Sequence, residues 1–230
     1  MEPTLIVVDD RLRARQTLAK LASSLDVRCK GFASVKEFLA VYEPAQPGCL
    51  VARLHLPEMG RLEPQAYLAA AGNTLPVIFV SVRMDVPGEA QAMGDGAFAV
   101  IQEPYRAHEL AHLILQAFCA DRELREREAR LTDLCQRINT LTTRERRVME
   151  LILTDTPNRV IALNLKVSRR TVDRIRAAIY QKLGVMSAIG MAQRVAAMQA
   201  PEARHPLAFH TDDKPVEGPH WGLRSACAAS

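Results

Sequence analysis

The chain has 230 residues, 48% hydrophobic and 24% charged, with a formal net charge of +4, which are the proportions of a soluble globular protein of one or two domains. Its apolar runs, such as the one from Leu75 to Val80, fall far short of the ~20 residues that span a bilayer. The N-terminus "MEPTLIVVDD" has neither the basic start nor the apolar core of a signal peptide. Five scattered cysteines with no Cys-x-x-Cys pair offer no zinc motif, so a cytoplasmic location without membrane contact is expected.

The first half alternates strand and helix signals. "TLIVVDD" is a short apolar strand ending in two acids. "RLRARQTLAKLASSL" has helical spacing, with Leu12, Leu18, Leu21 and Leu25 on one face. "VRCKGFAS" and "VKEFLAVY" read as a second strand and helix, and "GCLVARL" as the third strand. "LEPQAYLAAAG" is helical and stops at Gly72. "LPVIFVSV", apolar throughout, is the fourth strand, buried on both faces. "VPGEAQAMGDG" is a short helix, "AFAVIQEP" the fifth strand and "HELAHLILQAFCA" the fifth helix. This alternation predicts an α/β unit with a doubly wound five-stranded parallel sheet, whose function sits at the strand carboxyl ends.

"DRELREREARLTDLCQRIN" follows, charged and free of Gly and Pro. In one heptad frame Leu110, Ala117, Leu124, Leu131 and Ile138 share a position. Leu113, Ala120, Arg127, Leu134 and Leu141 share its partner. The pattern reads as a coiled coil joining two copies through Leu124, Leu131, Leu134 and Ile138, or as a solvated connector whose seam packs on its own domain.

Charge is uneven along the chain. Residues 1–120 sum to −2, residues 121–141 to zero, residues 142–200 to +7 and residues 201–230 to −1. A basic block of that length is an electrostatic footprint for nucleic acid, or else a solvated face. The block reads as all-helical. "TTRERRVMELIL" opens with Thr142 or Thr143 as N-cap and Glu145 behind it. "NRVIALNL" is a short helix, with Asn158 as a candidate cap. "KVS" is a turn, and "RRTVDRIRAAIYQKLG" is a longer helix ended by Gly184. Two helices joined tightly, the second bearing several arginines, form a helix-turn-helix. The last thirty residues carry four prolines and no periodicity, and read as a disordered tail. His205, His210, His220 and Cys227 there match no ligand spacing, so no metal site is expected.

The C-terminal motif "LTTRERRVMELIL…NRVIALNLKVSRRTVDRIRAAIYQKLGV" resembles the LuxR-type output domain of two-component response regulators of the FixJ/NarL type. The matching positions include Leu141, Thr142, Glu145, Val148, Asn158, Ile161, Ala162, Ser168, Thr171, Val172, Leu183 and Gly184. Asp155 and Lys166 stand where the family usually has glycine, and Val160 where it usually has an acid. The resemblance implies a flavodoxin-like receiver over 1–119, a helical linker over 120–138, a four-helix DNA-binding domain over 139–200 and a tail over 201–230.

The receiver resemblance keeps the layout and changes the chemistry. Asp9 and Asp10 stand where the family binds Mg²⁺. Arg53 stands where it carries the phosphoacceptor aspartate. Ser81 matches a family Ser/Thr, Glu103 before Pro104 replaces a lysine, and Val100 replaces an aromatic. An arginine cannot attack phosphorus and stays protonated. It also repels a cation beside Asp9 and Asp10, so no cofactor is expected and the family's Mg²⁺ is disfavoured. Both swaps together invert the acid–base pair. Arg53 is therefore expected to pair with Asp9, Asp10 and Glu103, with loss of melting temperature on Arg53→Ala. The alternative is that Arg53 reaches solvent over a decayed site.

On the basic block, Arg170, Arg174 and Ala177 share a face, flanked by Asp173 and Arg176. Arg174 is the expected base reader. Arg169, Arg170, Thr171, Arg176 and Lys182 are expected on phosphates, and Asp173 either accepts from cytosine or orients Arg170 or Arg176. The chain reads as a DNA-binding transcriptional regulator and not an enzyme. It acts on double-stranded DNA as a homodimer, with RNA polymerase among its partners. Two alternatives stay open: phosphorylation at Asp9 or Asp10, and a receiver that binds a protein or ligand to control dimerisation.

Overall fold

The computed structural model describes residues 2–56, 74–82 and 86–199. The helix expected around residues 62–72 and the tail, with its His and Cys residues, lie outside the described residues. Five parallel strands form one sheet in the order β2-β1-β3-β4-β5. They are β1 (Thr4–Val8), β2 (Arg28–Phe32), β3 (Gly48–Arg53), β4 (Val77–Ser81) and β5 (Ala99–Gln102). β1 and β4 are buried throughout and β3 up to Ala52, because both faces of the sheet are covered.

Alternate side chains serve opposite layers. Ile6, Val8, Leu50, Ala52 and Phe79 pack with Phe38 of α2 (Val35–Val41) and Ala92 of α3 (Val86–Gly94). Leu5, Val7, Val51 and Ile78 pack with Leu18 of α1 (Leu12–Ser24) and with Leu110 and Ile114 of α4 (Ala107–Asn139). Leu12 does not join this face as expected: it is 59% exposed. The step of six residues from it to Leu18 sets the two side chains about 240° apart around the helix. Gly48 opens β3 where an added Cβ would overlap the carbonyl of Thr4, so the strand start depends on glycine.

α4 is one helix of 33 residues, so the expected boundary at 119/120 falls inside it. Its first turns bury Leu110, Ile114 and Ala117 under the sheet. Asp121, 3% exposed, accepts from the backbone N–H of Gly48 at 2.9 Å and from Arg125 Nε at 2.9 Å. The Arg125 guanidinium donates onward to the carbonyls of Pro44 and Gln46. At the other end Leu134 is buried in the second core, with Ile138 packed against it. At this end the heptad follows the second of its two readings, a seam packed on its own domain. Leu134, Ile138 and Leu141 belong to this chain's own helical core, and Leu124 (42% exposed) and the partly exposed Leu131 are what remains outside. The repeat arises because the two ends of one helix are buried in different cores.

The second core gathers Val148, Ile161, Val172, Ile179, Leu183 and Met191, all fully buried. They come from α5 (Thr143–Leu153), α6 (Asn158–Asn164), α7 (Arg169–Leu183) and α8 (Ala188–Gln199). Thr142 caps α5 in a reciprocal box with Glu145. Gly184 ends α7 at φ 63°, a left-handed cap. Asn158 is the first residue of α6 and not its cap, a position that Pro157 holds.

Asp155 and Lys166 both adopt positive φ, 53° and 52°, so the two helix-ending turns keep the glycine conformation without glycine. A Cβ in that region costs about 1 kcal/mol, partly offset by the chain entropy that glycine would add to the unfolded state. Lys166→Gly is expected to raise stability by about 0.5 kcal/mol, and Asp155→Gly by less, because Asp tolerates this region. Urea unfolding midpoints test the order.

Candidate functional site

The sheet order reverses direction between β1 and β3, and the carboxyl ends of β1, β3, β4 and β5 meet there. Asp9 follows β1 and is 3% exposed. Its Oδ1 accepts from the backbone N–H of Arg11 at 2.8 Å and from Arg11 Nε at 3.0 Å, and its Oδ2 from Arg11 Nη2 at 2.8 Å. The same guanidinium donates from Nη1 and Nη2 to the two oxygens of Glu103 at 2.8 and 2.9 Å. Arg11 is thus clamped between two carboxylates, each bound by two parallel bonds, the strongest geometry for this pair. The hydrogen bonds that Arg11 donates to Asp9 and Glu103 push it above its ordinary pKa despite partial burial.

The expected hub, Arg53, has one carboxylate partner among the described residues: its Nη1 lies 2.6 Å from Asp10 Oδ1. The pairing of Arg53 with Asp10 is present; its pairing with Asp9 and Glu103 is corrected to Arg11. Arg53 leaves β3 on the side of Asp10, and Arg11, two residues past Asp9, curls back across the acids first. The Nε of Arg53 is buried with no hydrogen-bond partner among the described residues, an arrangement that costs about 1–3 kcal/mol. Ser81, 1% exposed, closes β4, and its carbonyl accepts from Glu103 N–H at 2.7 Å. The Glu103–Pro104 bond is cis.

Partial burial raises the Asp10 carboxyl, but the hydrogen bond and charge of Arg53, with help from the backbone and Arg11, outweigh it and set its pKa below the ordinary value. The Lys182 hydrogen bond and the Thr142 N–H likewise depress Glu145. A carboxylate depressed by folding stabilises the fold above its ordinary pKa, and that contribution is lost as pH falls through the folded value. Urea midpoints should hold from neutrality to about pH 5 and fall below about pH 4. A midpoint that rises on acidification would contradict both pairs.

The second candidate surface is α7, entered through the turn after α6. Ser168 caps it, accepting from the Thr171 N–H at 3.2 Å, and its hydroxyl meets the Thr171 hydroxyl at 2.9 Å. Ser168, Arg170, Thr171 and Arg174 line a shallow hollow of about 350 Å³. Arg169, Arg170 and Arg174 are exposed, while Val172, Ile175 and Leu183 face the core as expected. Two of the expected DNA contacts have hydrogen-bond partners within the chain. Lys182 donates to Glu145 Oε2 at 2.6 Å and to the Thr140 carbonyl at 3.3 Å, tying the end of α7 to the start of α5. Arg176 donates to Asn158 Oδ1 and, at 2.8 Å, to the Tyr180 hydroxyl. Asp173 orients neither Arg170 nor Arg176 directly; its Oδ1 accepts from Asn158 Nδ2 at 2.8 Å.

Arg11, Asn158 and Tyr180 are the participants that sequence reading missed. Arg11 had a signal: it directly follows the acid pair and occupies the N-cap of α1, where a side chain can fold back over the strand end. Asn158 had one as well, being the lone amide at the start of a helix that crosses an arginine-rich one.

A doubly wound sheet with carboxylates and arginines paired at the carboxyl ends of its strands, joined by one helix to a helix-turn-helix unit, defines a two-domain signalling regulator. The family model "Response regulator receiver domain" matches residues 5–115, and "Bacterial regulatory proteins, luxR family" matches residues 139–195. Transcriptional regulatory protein TdiR of Thauera aromatica is 31% identical over 80% of this chain and 81% of its own length. Response regulator protein TmoT of Ectopseudomonas mendocina is 31% identical over 81% of this chain and 84% of its own. Among solved structures, response regulator StyR matches with a TM-score of 0.75 at 31% identity, covering 85% of this chain and 99% of that one. This chain belongs to the response regulators that couple a receiver to a DNA-binding LuxR-type output domain. Its relatives are transcriptional regulators, and among the described residues no helix is long and apolar enough to cross a membrane.

Proposed function

We propose that this regulator binds DNA without aspartyl phosphorylation, its receiver pocket held together by ion pairs in place of Mg²⁺ and a phosphoryl group. The observation that carries this reading is the Arg11 clamp. A divalent cation at β1 needs the free oxygens of Asp9 and Asp10. Both oxygens of Asp9 are engaged by Arg11, and Asp10 faces Arg53. The residues present do not fit the ion. Glu103 stands where a lysine would meet phosphoryl oxygens, and as a carboxylate already held by Arg11 it offers them no positive group. Arg53 supplies no nucleophile.

The output domain acts on double-stranded DNA as a homodimer, each α7 entering the major groove. Arg174 reads a base, Arg170 lies one turn away, and Arg169 and Thr171 approach phosphates. RNA polymerase and the cytoplasm fit such a regulator. Incubation with radiolabelled acetyl phosphate and Mg²⁺ tests the receiver. No acid-stable or acyl-phosphate label is expected on the chain. Label on Asp9 or Asp10 would show that the ion pairs open to admit phosphoryl chemistry and would overturn this reading.

A further inference from the structure

We propose that Asn158 is the positioning residue of the DNA interface: it holds Asp173 and Arg176 out of the groove, so that base reading falls to Arg170 and Arg174. This inference rests on the reading of α7 as the recognition helix. Asp173 is the only acid on α7 and is exposed in a basic block. A free carboxylate there would face phosphates and repel them. Instead its Oδ1 accepts from Asn158 Nδ2 at 2.8 Å, and the amide oxygen of Asn158 accepts from Arg176 Nη1. One amide therefore uses its donor on an acid and its acceptor on a base, as its chemistry allows.

The Arg176 fork is committed further. Nη2 donates to the Tyr180 hydroxyl at 2.8 Å, and the guanidinium carbon lies 5.7 Å from the Tyr180 ring centroid. The chain Asp173–Asn158–Arg176–Tyr180 runs across the crossing of α6 and α7. Among the described residues the guanidinium groups of Arg170 and Arg174 have no such partner, and they flank the open hollow with Ser168 and Thr171. Charge pairing thus sorts the four arginines of one helix into a fixed one, Arg176, and three with no side-chain partner among the described residues, of which Arg170 and Arg174 line the hollow and Arg169 does not.

The test is selection of preferred sites by the full chain from a pool of random-sequence duplex DNA, with affinity for the selected site measured against salt. Three variants are used: Asn158→Asp, Asp173→Asn, and both together. Asn158→Asp sets two carboxylates against each other and releases Asp173. It is expected to broaden the selected site and to change the slope of log affinity against log salt by about one phosphate equivalent, roughly 0.9. Asp173→Asn keeps an amide oxygen to accept from Asn158, and the selected site is expected to stay unchanged. The double variant reverses donor and acceptor across the pair, and site and slope should return to those of the parent. A merely structural role would not show this reciprocal rescue. Loss of a cytosine preference in Asp173→Asn would show that Asp173 reads DNA and would overturn the inference. So would parental site and slope in Asn158→Asp. If Arg170→Ala and Arg174→Ala also leave selection unchanged, α7 does not read DNA and the underlying reading fails with it.

Discussion

Replacing Arg11 with alanine is expected to destabilise the protein by about 2–3 kcal/mol, the largest effect of any single change in the receiver pocket. The variant leaves the 3%-exposed Asp9 without its cation and sets Glu103 beside it with nothing between. Breaking a fully buried pair typically costs about 3–5 kcal/mol, and the lower figure allows for solvent reaching Arg11, whose side chain is 34% exposed. Arg53→Ala should cost less than about 1 kcal/mol. Its pair with Asp10 is more open, and its removal relieves the buried Nε that has no partner among the described residues. Paired urea denaturations decide the matter. If Arg53→Ala proves the more damaging change, the clamp is not what holds the pocket. Arg11→Lys should recover only part of the loss, because a single ammonium cannot match two bidentate carboxylates.

Replacing Arg174 with alanine is expected to weaken specific DNA binding by about 1–3 kcal/mol, roughly 5- to 150-fold, and to relax preference at one base pair. The side chain is exposed, lines the hollow on α7 and has no committed partner among the described residues. Arg169→Ala should instead weaken binding to all sequences alike and flatten the salt dependence by about one phosphate contact. Lys182→Met should leave the salt dependence unchanged and lower stability, since its ammonium is held by Glu145 and Thr140. A uniform loss for Arg174→Ala, with no change in base preference, would make that arginine a phosphate contact.

Much of the fold is legible in the chain because its signals are local. The double-faced burial of β1, β3 and β4 produces unbroken apolar runs, and the Thr142–Glu145 box and Gly184 mark helix ends. The positions of Asp9, Asp10, Arg53, Ser81 and Glu103 at strand ends also follow from the alternation of elements. What cannot be read from spacing is which cation meets which acid. Arg11 and Arg53 lie 42 residues apart in sequence and within reach of one acid pair. The choice between them depends on how α1 leaves β1. The heptad in α4 leaves two readings open for a related reason: periodicity reports that a residue is buried, not against what. Leu134 and Ile138 keep the period of a seam while filling their own domain. The same limit applies to Arg176 and Lys182, whose charge points to DNA while their geometry ties them to Asn158 and Glu145.

The most direct test of a receiver held by ion pairs is quantitative footprinting of the full chain on a site selected from genomic DNA, with and without acetyl phosphate and Mg²⁺. The expected result is specific protection by the untreated protein, with affinity unchanged within about twofold on treatment, well under the tenfold that 1.4 kcal/mol would give. Protection that appears only after treatment with the phosphodonor would contradict it.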